Sequence, residues 1–372
     1  MKILEVTNVD FSLRHFLLPL MRELRGRGHD VVGVCADGDL LAIPRMEGFR
    51  IEALPLARSL SPLAQARAFL ALLRLIRAER PDIVHAHMPI SGLLARLAAK
   101  LCGVKLIAYT CHGFLFNQPG SLRRRSLALV LEWAAGRITD RYFTVSREEA
   151  ADACRLHIHP DPVAIGNGRN PRLFQPDPVR RAAVRRTLAV PDDRVVIIAV
   201  SRLVRHKGYP ELLQAMRAVP DAELWVVGER LASDHGENMN DALAEAARPQ
   251  ALGTRLRRLG YRTDIADLLA ASDIFVLPSH FEGLPMSVIE AMLAGLPVVA
   301  TDISGPREQV VEGETGLLVP AADPRALAEA LHRLAADSGL RGRMGTAGRV
   351  RACAHYDEAD VTGRMADLLL AP

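Results

Sequence analysis

Aromatic residues are scarce in this 372-residue chain, at 5%, and they are not interleaved with its basic residues, which argues against a nucleic-acid-binding surface. Cysteine is scarcer still. Cys35, Cys102, Cys111, Cys154 and Cys353 are odd in number, scattered and without paired spacing, so neither a disulfide framework nor a cysteine-based zinc site is expected. No apolar run reaches the ~18 residues of a membrane-spanning helix, because Arg67, Arg74, Glu132 or Glu290 interrupts each of the longest ones. No Gly-x-Gly-x-x-Gly follows a strand pattern, which argues against a dinucleotide cofactor. The lone Asp-x-Asp, Asp37-Gly38-Asp39, reads as a turn rather than a metal site. Met1-Lys2 runs straight into an apolar strand, so no signal peptide and a cytosolic product are expected.

What is present is the composition of a soluble globular protein, 49% hydrophobic and 24% charged, with a length that suits two domains of ordinary size. The net charge of +4 is uneven. Residues 1–165 carry 22 Lys+Arg against 16 Asp+Glu, whereas the remainder carries 25 against 27. A basic first half, with Arg123-Arg124-Arg125 as its densest run, suits an anionic lipid surface or a diphosphate-bearing acceptor. Solvated arginine-rich faces would give the same bias.

Short apolar strands alternate with amphipathic helices along the chain. Strands are expected at 3–7, 30–35, 83–86, 106–110 and 141–145, with helices at 13–27, 62–78, 90–101 and 122–136 between them. A second series of strands is expected at 195–200, 224–227, 255–259, 274–277, 297–300 and 316–319. Such alternation predicts two α/β, Rossmann-like, doubly wound domains. The densest Gly/Pro/Asn cluster, Gly166-Asn167-Gly168-Arg169-Asn170-Pro171, marks the hinge. The expected division is therefore 1–168 and 169–355, with 356–372 as a C-terminal helix.

The most informative stretch runs from Phe281 to Met292. Pro285 suits a helix start, since its missing N–H is not needed there, and Gly295-Leu296-Pro297 ends that helix before the next strand. Glu290 is the single charge in this apolar helix, and no neighbour in sequence supplies the hydrogen-bond donors that a buried carboxylate needs. A ligand with hydroxyls would supply them. Glu282 lies in the loop before the helix, so two carboxylates flank a helix N-terminus whose free N–H groups attract anions. Phosphate with hydroxyls on both sides describes a nucleotide sugar. Ser201-Arg202-Leu203-Val204-Arg205-His206-Lys207-Gly208 follows the first strand of the second series, where Arg202 and Lys207 can grip a diphosphate from two sides. An ion-paired core Glu and a basic surface loop are the plainer readings of these features.

Taken in order, the basic loop, Val227-Gly228, Leu259-Gly260-Tyr261-Arg262-Thr263-Asp264 and Glu282 with seven residues before Glu290 resemble the retaining family-four glycosyltransferases of the GT-B fold. The first half is similar to the bacterial exopolysaccharide and capsule subgroup, through Val9-Asp10-Phe11, Phe16-Leu17-Leu18-Pro19-Leu20, His85-Ala86-His87-Met88-Pro89 and Thr110-Cys111-His112-Gly113-Phe114. Many members carry a Gly-Gly pair in the first loop, where this chain has Asn8-Val9-Asp10.

The resemblance implies two domains facing across a cleft, with the C-terminal helix returning to the first, acceptor-binding domain. It assigns the donor diphosphate to Arg202 and Lys207, backbone N–H groups to Gly283, Leu284 and Pro285, and the ribose to Glu290. Glu282 and His112 are assigned to the donor sugar, and Gly228, Tyr261 and Arg262 to the nucleotide's surroundings. Asp10, Phe11 and His87 are placed on the acceptor side. Cys111 beside His112 also permits a nucleophile reading, but no third orienting group is evident. His85 and His87 alternate on a strand without carboxylate company, which favours an acceptor-side or structural role over metal ligation.

No residue stands out as an inverting enzyme's general base or as a carboxylate nucleophile, so front-face transfer with retention is implied. Neither cofactor nor metal is expected, the nucleotide sugar, most simply UDP-linked, being a substrate. The implied acceptor is a polyprenyl-diphosphate-linked glycan at the cytoplasmic membrane surface. An epimerase acting on nucleotide sugars, or a non-catalytic nucleotide-sugar-binding subunit, are the alternatives.

Overall fold

A computed structural model describes residues 1–56, 61–118, 120–230 and 237–371. The chain divides into two compact units, Met1–Gly166 with Ala359–Pro372, and Asn167–Glu358. All strand pairings in both sheets are parallel.

In the first unit, seven strands are β1 (Lys2–Val6), β2 (Asp30–Cys35), β3 (Arg50–Ala53), β4 (Ile83–His87), β5 (Leu106–Cys111), β6 (Arg141–Thr144) and β7 (Pro162–Ala164). Their spatial order is β3-β2-β1-β4-β5-β6-β7. Residues alternate between faces, so Leu4, Val6, Val84 and Ala86 join the core under the helices Pro62–Glu79 and Pro89–Leu101, while Ile3, Val31 and Ile83 face the opposite core. The C-terminal helix Glu358–Leu370 contributes Met365, Ala366 and Leu369 to that second core, and Asp367 meets Arg27 at 2.5 Å. Arg141 adds hydrogen bonds to the carbonyls of Leu368 and Ala371.

β3 and β7 are absent from the expected strands. Both lie at sheet edges, where burial does not impose an apolar pattern: β3 reads Arg-Ile-Glu-Ala, and β7 starts on Pro162, a residue that edges tolerate. The first expected helix is also broken up, with a π-helical turn at Leu13–Leu17 between the short helix Asp10–Ser12 and Leu18–Gly26.

In the second unit, β8 (Val195–Val200), β9 (Ala222–Val227), β10 (Leu256–Gly260), β11 (Ile274–Leu277), β12 (Val298–Thr301) and β13 (Gly316–Val319) stack in the order β10-β9-β8-β11-β12-β13. Strands such as Val-Val-Ile-Ile-Ala-Val and Ile-Phe-Val-Leu are apolar on both faces because helices cover both sides of a parallel sheet. Two helices start with Pro in the first turn behind an Asp cap, Asp177 before Pro178 and Asp323 before Pro324, each carboxylate accepting two backbone N–H groups.

Each sheet has one place where the chain reverses the direction in which strands are added. In the first unit it lies between β1 and β4, and in the second between β8 and β11. In doubly wound sheets the ligand crevice lies outside the carboxyl ends of the strands at such a place.

Candidate active site

At the switch point of the second sheet, the loop after β8 and the loop after β11 run side by side, joined by a hydrogen bond from the His280 N–H to the His206 carbonyl at 2.8 Å. Gly208 permits this approach. Its φ is +76°, and a Cβ there would lie 1.9 Å from the Pro278 carbonyl oxygen. The third loop is tied in by the Gly228 N–H to the Gly260 carbonyl at 2.8 Å, and Gly228, at φ +127°, lies against the Ser201 carbonyl. Arg202, Lys207, Gly228 and Tyr261 thus all belong to loops at the carboxyl end of the sheet. Tyr261 is exposed, and the Arg262 guanidinium is paired with Asp264 at 2.5 Å.

The Lys207 ammonium lies 2.6 Å from Glu282 Oε1, both side chains being nearly buried. Ser279 donates to the same oxygen at 2.7 Å. Glu282 Oε2 accepts no hydrogen bond among the described residues. The loop then passes Gly305, whose positive φ and close approach to the Gly283 carbonyl hold Gly283-Leu284-Pro285 in place, as do the bonds from Asn167 to the Leu284 carbonyl and from Gln309 to the Pro285 carbonyl. Pro285 is the N-cap of the helix Met286–Leu293, and it offers no side-chain acceptor to the first-turn N–H groups. Those donors and the helix dipole leave the loop mouth electropositive.

Glu290 is buried in this helix, but its donor comes from the protein: Arg169 Nε lies 2.6 Å from Glu290 Oε1. For this oxygen the plainer reading, an ion-paired core carboxylate, is the one the structure shows, because the hinge segment, 121 residues away in sequence, folds back to it. Burial raises the Glu290 pKa, and Arg169 offsets part of that rise. Its Oε2 accepts no hydrogen bond among the described residues. Glu282 and Glu290 therefore share one construction, a carboxylate with one oxygen held by a cation and the other available to a hydroxyl. Arg169 and Ser279 escaped the sequence reading, which had no local signal for either.

The switch point of the first sheet gathers a second polar group. Glu5 on β1 stands directly opposite His85 on β4, and both are fully buried. Glu5 lies 3.1 Å from His85 Nδ1 and 2.8 Å from His87 Nε2, so the histidines do have carboxylate company, contrary to expectation. It comes from the neighbouring strand, 80 residues earlier. Burial raises the Glu5 pKa, but attraction to His85 and hydrogen bonds from both rings outweigh it and hold the carboxyl at about 2. Burial and the neighbouring His85 lower His87 to about 4 against the pull of Glu5.

His87 Nδ1 meets His112 Nε2 at 3.2 Å, and burial followed by His87 and His85 pushes the His112 pKa well down. The Phe16 ring lies 5.8 Å from His112, and Phe11 packs near His15 and Phe16. Ligand atoms of Glu5, His85 and His87 lie within 4.8 Å of one another, close enough to surround a metal ion.

Two sequence-based candidates in this unit have structural employment. The Asp10 carboxylate accepts the backbone N–H groups of Phe11 and Leu40, and Gly38 packs so tightly on it that a Cβ would lie 2.0 Å from Oδ2. Cys111 is wholly buried, and burial, reinforced by Glu149 and Glu132, raises its thiol pKa well above the ordinary value, which removes the nucleophile reading. Asp37 pairs with Arg45 at 3.3 Å, and Asp39 opens a short 3-10 turn.

Two parallel, doubly wound units with a cationic, helix-mouthed loop cluster at a switch point define a GT-B-type architecture. Comparison with known proteins agrees. Residues 180–351 match the family model "Glycosyl transferases group 1", and residues 13–168 match "Glycosyl transferase 4-like domain". Over 297 residues the chain is 32% identical to the UDP-Gal:alpha-D-GlcNAc-diphosphoundecaprenol alpha-1,3-galactosyltransferase of Escherichia coli, covering 77% of this chain and 74% of that protein. It is 27% identical to the capsular polysaccharide biosynthesis glycosyltransferase CapM of Staphylococcus aureus, covering 90% and 89%. Its fold is similar to that of Anabaena HepE, crystallised in complex with UDP and glucose, with a TM-score of 0.86 at 22% identity over the full length of both chains. The chain belongs to the family-four-type glycosyltransferases of the GT-B fold.

Proposed function

We propose that this glycosyltransferase moves a hexosyl or N-acetylhexosaminyl group from a UDP-sugar to a polyprenyl-diphosphate-linked glycan, with retention of anomeric configuration, in the assembly of a surface polysaccharide. The observation that carries the proposal is the Lys207–Glu282 pair at the uncapped mouth of the helix Met286–Leu293, within loops from three adjacent strands. The UDP and lipid-linked parts draw on what the Escherichia coli relative acts on and on the ligand held by HepE.

In this reading Arg202, Lys207 and the backbone N–H groups at 283–285 take the diphosphate, Glu290 Oε2 takes a ribose hydroxyl, and Glu282 Oε2 takes a hydroxyl of the donor sugar. Gly228, Tyr261 and Arg262 border the nucleotide. His112 contacts a substrate hydroxyl, and Phe11 and His87 belong to the acceptor-side unit. The bond from the anomeric carbon to the UDP oxygen breaks as the cations and the helix dipole stabilise the departing charge. The acceptor oxygen bonds on the same face and its proton passes to the leaving phosphate. Charge stabilisation of this kind requires no metal.

The same reading assigns the protein to the cytoplasmic membrane surface. No described helix is long and apolar enough to cross a membrane. The helix Leu122–Gly136 instead exposes Leu122, Leu127, Val130, Leu131 and Trp133 beside exposed Arg123, Arg124 and Arg125. Its one acid, Glu132, is turned inward onto buried Arg96 at 2.9 Å. A helix whose exposed surface combines apolar side chains with a cationic first turn, and carries no exposed acid, suits an anionic lipid surface.

The test is incubation with a panel of UDP-sugars, with and without a polyprenyl-diphosphate-linked glycan. Acceptor-dependent UDP release and an anomeric coupling in the product that matches the donor support the proposal. An inverted product contradicts the mechanism, and isomerised or untouched donor contradicts the reaction.

A further inference from the structure

The first-sheet switch point carries a chain of protons whose direction the hydrogen bonds determine. Glu5, His85, His87 and Thr110 share one face of the sheet, since they stand two or four residues along from Ile3, Ile83 and Ala108 of the core on that side, and His112 continues the row just past β5. An ionised carboxylate can only accept, so His85 Nδ1 and His87 Nε2 both donate to Glu5. On its other side His85 Nε2 meets the Thr110 hydroxyl at 2.8 Å. A neutral His87 protonated on Nε2 has its lone pair on Nδ1, so the proton in the 3.2 Å contact with His112 must sit on His112 Nε2. His112 Nδ1 is left with a lone pair, and it makes no hydrogen bond among the described residues. His112 is partly exposed and stands just past the carboxyl end of β5, beside Phe16.

We propose that Glu5 and His87 are positioning residues that fix the tautomer of His112, protonated on Nε2, so that its Nδ1 is presented as a hydrogen-bond acceptor to a hydroxyl of the sugar substrate. The assignment rests on the reading of His112 as a substrate contact. It gives the fully buried Glu5, which no sequence motif announces, a function at one remove from the reaction. The proximity of Glu5, His85 and His87 offers a rival occupant, a divalent metal. A metal would take the lone pairs of His85 Nδ1 and His87 Nε2, leave the His87 proton on Nδ1 and make His112 Nε2 an acceptor. The two arrangements impose opposite tautomers on His112.

The deciding experiment is two-bond proton–nitrogen NMR of the full chain labelled with ¹⁵N-histidine, with His112→Gln identifying the signal. The expected result is a neutral His112 protonated on Nε2, unchanged by a chelator. Glu5→Gln should invert or mix the His87 and His112 tautomers, because the amide can donate where the carboxylate only accepts. In transfer assays, Glu5→Gln and His87→Gln should lower kcat on the order of tenfold with UDP affinity unaltered, a split that general loss of structure does not produce. His112 protonated on Nδ1, a tautomer indifferent to Glu5→Gln, or a stoichiometric bound metal whose removal alters the spectrum would each overturn the proposal. If Glu5→Gln does not fold, the wild-type tautomer still decides. Absence of sugar transfer from any donor would defeat the transferase reading while leaving the tautomer measurement standing.

Discussion

Glu282 and Glu290 each spend one oxygen on a cation and keep the other, which makes single-atom changes informative. Glu290→Gln should weaken donor binding roughly tenfold, about the worth of one hydrogen bond to a charged group, and calorimetry with a UDP-sugar checks it. Equal affinity in the variant would remove the ribose assignment. His87 supports a second prediction at this scale, since folding lowers its pKa from 6.5 to about 4. The unfolded chain binds the proton more readily between those values, so stability present above pH 6.5 is lost as the pH falls toward 4. Glu5, held at about 2 against an ordinary 4.5, adds loss in the same direction at lower pH. The charged and titratable groups facing His87 are Glu5 on β1, His85 on its own strand and His112 after β5. Thermal melting from pH 7 to 4 should show this decline, and His87→Gln should flatten it; an unchanged profile in the variant contradicts the buried neutral His87. Among single residues, Lys207, Glu282 and Glu290 were legible because they break local patterns. Glu5 and Arg169 were not, because their partners lie 80 and 121 residues away and are chosen by strand register and hinge path.

Elements place these residues through loops that approach too closely for side chains. Gly208→Ala puts a Cβ against the Pro278 carbonyl in a backbone conformation that alanine disfavours, so it should destabilise the protein by about 2 kcal/mol or more. Melting of the variant measures this, and wild-type stability would show that the two loops are not locked as described. Most strands could be read from sequence because parallel strands buried on both faces are near-continuous apolar runs, as in β8 and β11. β3 and β7 escaped because edge strands lack that constraint, and the π-helical turn at Leu13–Leu17 escaped because its residues fit an ordinary amphipathic helix equally well. The start of the key helix was misplaced by one residue, with Pro285 as cap rather than first turn, and this leaves the N–H groups beyond it uncapped.

The whole molecule combines two doubly wound units with one polar cluster at the switch point of each sheet. Order of strands, more than any motif, explains why the clusters lie where they do, and that order is a tertiary property which no local pattern encodes. If the helix Leu122–Gly136 rests on anionic lipid, wild-type protein should sediment with vesicles containing anionic phospholipid at low salt and dissociate at high salt. Replacing Arg123, Arg124 and Arg125 together by Ala should reduce that binding severalfold, each arginine near the surface contributing about 1 kcal/mol at most. Equal sedimentation with neutral vesicles would discard the membrane assignment. The central claim is that a sugar-linked diphosphate sits between Lys207 and the mouth of the helix Met286–Leu293, and the most direct measurement compares wild type with Lys207→Ala in UDP affinity and transfer rate. Because the change leaves the Glu282 carboxylate without its cation, thermal melting is recorded alongside. A folded Lys207→Ala protein with UDP binding weakened and turnover reduced roughly a hundredfold or more is the expected result; a folded variant with wild-type affinity and turnover would contradict the account.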